Sequence, residues 1–102
     1  AFTAAIAHAD ALLAKTPELY DALDAKGIAW CGLGILAETF HEMSPKLNID
    51  HAITAFCTAR KINSDAGVVA RVVRLLDALA WAAPEGAALL AEPRRAAAGK
   101  QK

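Results

Sequence analysis

Few residues in this chain have the type and spacing to do chemistry. Glu38-x-x-His41 is an i, i+3 pair of the kind that binds iron in helical bundles, with Met43 and His51 close by. Such sites need a second pair as well as two further glutamates, and the chain has no second Glu-x-x-His. Cys31 with a histidine could make a nucleophile–base pair, but it sits on an apolar helical stripe, where a cysteine packs as a small hydrophobe. His8 reads as an exposed or half-buried helix residue, and Trp30 and Trp81 as core residues or as anchors for a partner. No Gly-Lys-Ser/Thr phosphate loop, G-x-G-x-x-G, H-E-x-x-H or G-x-S-x-G is present. The reading is a non-enzyme that needs no cofactor and no metal.

Charge adds little in total and more in its distribution. Lys plus Arg and Asp plus Glu both number 11, so no global field favours nucleic acid or an anionic membrane. The basic end, with Arg94, Arg95, Lys100 and Lys102, lacks the aromatic interleaving of a nucleic-acid binder and reads as a solvated tail. Residues 1–50 nevertheless carry seven acids and three bases, and residues 51–102 four acids and eight bases. That dipole fits either solvated faces or head-to-tail contact with another copy or module.

The elements that must position these groups are helical. Alanine makes up about a quarter of the 102 residues, and 56% are hydrophobic; alanine is the strongest helix former because it loses no side-chain entropy. Apolar residues at three-four spacing predict helices over 2–15, from Thr16-Pro17-Glu18 to about 42, over 49–62 and over 66–82. Ala83-Pro84-Glu85 predicts a further short helix to about 91, interrupted or restarted at Pro93, and a tail fraying from Gly99. His41–Asn48 reads as a loop, with Asn48 or Asp50 capping the third helix. Gly27, Cys31 and Gly34 fall on one stripe of the second helix, either for close approach of a neighbour or as a hinge. The class is all-α: a helical domain over 1–82, short C-terminal helices over 83–98 and a flexible tail over 99–102. No run nears the length of a membrane span, and two helix-borne cysteines that make no disulfide framework suit a reducing, cytoplasmic setting.

One spacing recurs: Phe2-x-x-Ala5-Ile6 at the start and Ile49-x-x-Ala52-Ile53-x-x-Phe56-x-x-Ala59-x-x-Ile62 in the middle. The run Ala52–Ser64 resembles the second helix and closing turn of a tetratricopeptide repeat, and Lys26-Gly27-x-Ala29-Trp30-x-x-Leu33-Gly34 is similar to that family's first helix. Aligning Pro17 with Ser64 sets an offset of 47, about 13 residues more than the family's period. The excess falls around 35–47, where it either lengthens the second helix or forms a loop over the groove. Arg74 stands where Gly27 stands in the earlier helix, so the fourth helix looks like a terminal cap.

The resemblance implies an antiparallel helix-turn-helix stack that holds a peptide or protein segment in a groove lined by first helices. Its groove positions fall on Asp21, Asp24, Ile28 and Cys31 of the second helix and on Arg71 and Leu75 of the fourth. The family's clamp for acidic C-termini needs Lys and Asn where this chain has Asp24 and Ile28, so a basic or apolar segment suits it better. Asp24→Lys is then expected to weaken binding without unfolding the chain. The competing expectation is a structural or self-associating module of a longer helical repeat, in which another copy or module covers Phe2, Ile6 and Leu13.

Overall fold

Proline, Asn-Ser-Asp and Gly punctuate the alanine-rich stretches, and the computed structural model, which describes residues 2–40 and 45–99, breaks its helices there. Five α-helices follow in order: α1 (Phe2–Lys15), α2 (Tyr20–Phe40), α3 (Pro45–Ile62), α4 (Ala66–Ala82) and, after a 3-10 segment at Pro84–Leu90, α5 (Ala91–Ala97). The described residues include no strand, and none of their helices is long and apolar enough to cross a membrane.

Helix ends depart from expectation at two prolines. The Thr16 carbonyl accepts the Leu19 N–H at 3.1 Å and closes a turn, so α2 starts at Tyr20 and not at Pro17. Pro45, expected in a loop, opens α3. Proline suits a first helical position, where its missing N–H would have had no intrahelical partner. Asn48 therefore lies one turn inside α3 and is buried rather than capping it. Helix α2 reaches 21 residues and α3 18. His41, Glu42, Met43 and Ser44 lie outside the described residues, and the Glu38-x-x-His41 spacing ends on one of them.

The remaining turns use local polar groups. Asn63 N–H reaches the Ala59 carbonyl at 2.8 Å to end α3, and Asn63 Oδ1 accepts the Asp65 N–H at 2.9 Å. Asp65 flanks the start of α4 with no side-chain capping bond. Gly99, at φ 78°, ends α5 in the left-handed conformation that glycine adopts without steric cost.

Helix α2 is the centre of the fold. Phe2 of α1 lies over Gly32, where a Cβ would collide with its ring; Phe56 of α3 lies over Gly27, with its Cε1 2.5 Å from where a Cβ would sit. Ile49 occupies the same relation to Gly34. The small stripe thus serves close approach on the α3 side. Cys31, Ile35, Ala52, Phe56, Val72, Leu76, Leu90, Ala96 and Ala97 form one cluster. Leu90, Ala96 and Ala97 bring the C-terminal segments into that cluster. Burying Phe56 fully is worth about 2–3 kcal/mol of transfer free energy.

Two expectations about exposure change. Phe2 and Ile6 are covered by the chain itself, Ile6 being buried and Phe2 and Leu13 half-buried, while Leu12 stays exposed. Trp81, read as either a core residue or a partner anchor, is 88% exposed and so not in the core. It stands on the outer face of α4, whose buried residues are Val72 and Leu76 alone.

Candidate functional site

Two helices with different degrees of burial create a concavity that gathers most of the expected groove residues. On α2, Asp21, Ala25 and Ile28 recur at helical spacing on the edge facing α4, the first two exposed and Ile28 half-buried. On α4, Arg71 and Leu75 stay exposed one turn apart, beside buried Val72. Between them lies a cleft of about 230 Å³ lined by Asp21, Asp24, Ala25, Ile28, Arg71, Val72 and Leu75. Toward the start of both helices it adjoins a second hollow, about 460 Å³, lined by Tyr20, Asp21, Asp65, Gly67, Val68 and Arg71.

Asp21 and Arg71 belong to both hollows and join across them, Arg71 Nη2 donating to Asp21 Oδ1 at 2.7 Å. Both side chains are about half exposed, 54% for Arg71 and 56% for Asp21. An exposed ion pair of this kind contributes only about 0.2–1 kcal/mol, so it opens at little cost.

Asp24 is different. It lines the cleft, yet its side chain is 6% exposed and its Oδ2 accepts from Arg60 Nη2 at 2.6 Å. Arg60 in turn donates from Nε to the Asn63 carbonyl at 2.9 Å and from Nη1 to the Ala97 carbonyl at 3.0 Å. Desolvation pushes the Asp24 carboxyl above its ordinary value, and the hydrogen bond and charge of Arg60 pull it back only in part. Its Oδ1 is buried and accepts no hydrogen bond. Asp24 is thus a fold-bearing group at the floor of the cleft, and the expectation that Asp24→Lys leaves the chain folded does not hold. A lysine there would set a second cation against buried Arg60.

Cys31 does not join the groove. It is fully buried in the central cluster, outside the lining of the cleft, and burial pushes its thiol up to about 12. Asp21, Asp24, Ile28, Arg71 and Leu75 do meet around the cleft.

Sequence reasoning missed Arg60, Tyr20, Asp65 and Val72. Arg60 reads only as a basic residue in the last turn of its helix, and nothing in the sequence links it to an acid 36 residues away. His51, near Glu38 and His41 in sequence, stacks on Trp30, with ring centroids 4.5 Å apart and planes inclined by 25°. Among the described residues, no three His, Cys, Asp or Glu side chains gather as a metal site. The cleft offers an apolar wall of Ile28, Val72 and Leu75 and acidic and basic rim groups at Asp21 and Arg71. No protein-family model, curated protein or solved structure matches the chain.

Proposed function

We propose that this chain is a protein-interaction module that holds a peptide or protein segment in the cleft between α2 and α4. The observation that carries the reading is the composition of that cleft. Ile28, Val72 and Leu75 form an apolar wall, and Asp21 and Arg71 form a weakly closed polar rim. A site of this make-up gains affinity from apolar burial and orientation from a few polar groups. The helical pairing of α2 with α3, close-packed at Gly27 and Gly34, supports the likeness to a tetratricopeptide unit. The reading needs no catalytic step and no cofactor. It includes a reducing, cytoplasmic setting, which two unpaired cysteines suit.

The test is selection of binders from a random seven-residue peptide library displayed against the full chain, followed by titration. Recovered peptides should bind in the micromolar range and lose binding to Leu75→Asp, whose site is 51% exposed and tolerates the charge. Ala25→Lys, exposed on the opposite wall, provides the same readout from α2. Binders indifferent to both substitutions would place the interaction elsewhere and sink the reading.

A second reading, self-association or capping within a longer helical array, draws on the outer face of α4, where Trp81 is 88% exposed. Mass in solution distinguishes it. A strict monomer at high concentration removes self-association.

A further inference from the structure

We infer that the segment held between α2 and α4 is extended and basic, and that its Lys or Arg engages Asp21 and Asp65 in place of Arg71. The inference rests on the groove reading above and adds the chemistry of the occupant. The two hollows run side by side from Tyr20 to Ile28 on α2 and from Gly67 to Leu75 on α4. Eight residues of helix rise about 12 Å, the span of three to four residues of extended chain at roughly 3.3–3.6 Å each.

The groove is rich in acceptors and poor in donors. Three carboxylates line it, Asp21, Asp24 and Asp65, against the single guanidinium of Arg71. Asp65 makes no capping bond with its side chain. Asp24 Oδ1 is sealed from solvent and lacks a partner, although its residue lines the cleft. Arg60 neutralises Asp24 from the far side and has its own nitrogens occupied by Asp24, Asn63 and Ala97, so it offers the groove nothing.

A lysine or arginine suits both halves of this surface. Its methylene stem lies along Ile28, Val72 and Leu75, and its charged end remains at the wet rim. The exposed Asp21–Arg71 pair yields because an exposed ion pair exchanges partners readily. An acidic segment would meet Asp21 and Asp65 with like charge, which suppresses wrong partners.

The test uses the library peptides whose binding depends on Leu75 or Ala25. Each should contain Lys or Arg, and replacing that residue with norleucine, which keeps the stem and removes the charge, should weaken binding about fivefold at low salt, the scale of an exposed ion pair. Asp21→Asn and Asp65→Asn should each weaken the parent peptide about three- to fivefold and leave the norleucine version unchanged, with an unaltered circular dichroism spectrum. Groove-dependent binders without a basic residue, or norleucine versions of equal affinity, overturn this inference and leave the groove reading intact. Binders indifferent to the Leu75 and Ala25 substitutions overturn both.

Discussion

Arg60 holds Asp24 at 2.6 Å with both side chains nearly sealed, 5% and 6% exposed. Through its other nitrogens the same guanidinium closes the carbonyl ends of α3 and α5 at Asn63 and Ala97. One side chain therefore ties three helices together. Truncating one partner of a buried pair leaves the other charge desolvated and unpaired, which typically costs about 3–5 kcal/mol. Asp24→Ala and Arg60→Ala should each destabilise the chain on that scale in urea denaturation. The double substitution should cost well under the sum of the two. Additive losses would mean the pair is not coupled.

The pair also sets a pH dependence. Burial raises the folded-state value of Asp24 above the ordinary 3.8, so the fold binds this proton more tightly than the unfolded chain does. Its contribution to stability is therefore full below 3.8 and is lost as pH rises through the folded value. The stability of the natural chain relative to Asp24→Asn should therefore fall as pH rises from acid toward neutrality. Urea titrations from about pH 3 to about pH 7 read it directly, and a relative stability that rises with pH contradicts the assignment.

Two glycines in helices should respond with opposite signs. A Cβ at Gly27 would sit 2.5 Å from the Phe56 ring, which is fully buried and has no room to retreat. Gly27→Leu should lose about 1–3 kcal/mol or more to overpacking. At Gly67, in the first turn of α4, a Cβ meets nothing within 4 Å. Gly67→Ala should raise stability by up to about 1 kcal/mol through helix propensity alone. Thermal melts of the two variants decide both signs.

Much of this frame is legible locally. The bounds of α1 and α4 coincide with the apolar three-four pattern, and Gly27 and Gly34 mark a close approach before any partner is known. Pro45 misleads because one residue type both breaks a helix and starts one, and the choice depends on which N–H groups lack partners. The site is legible only where it is exposed. Asp21, Ile28, Arg71 and Leu75 sit at the cleft as spacing suggests, whereas Asp24 and Cys31 lie on the same helix face but deeper. Helical spacing gives direction around an axis and not depth, and depth is set here by α3 and α5. The Arg60 contact to Asp24 spans 36 residues, a relation that no local pattern encodes.

The cysteines should separate by reactivity. Cys31 is fully buried with its thiol raised to about 12, and Cys57 is half-exposed. A thiol reagent at mild alkaline pH should modify one cysteine of the native chain, Cys57, and both after denaturation. Labelling of native Cys31 at a rate comparable to Cys57 would show that the core opens locally.

The tryptophans offer a last discrimination, because they occupy opposite environments. Trp30 is half-buried and stacked on His51 at 4.5 Å between ring centroids, while Trp81 is 88% exposed. Trp81→Phe should remove the long-wavelength, readily quenched part of the fluorescence and leave a blue-shifted remainder. Trp30→Phe should do the reverse. Stability follows the same division: Trp81→Ala should change it by within about 0.5 kcal/mol, as surface substitutions do, whereas Trp30→Ala should cost about 3 kcal/mol through lost packing. If Trp81→Ala proves strongly destabilising at high protein concentration and neutral at low concentration, the outer face of α4 is buried between copies, and the self-associating reading gains over the groove.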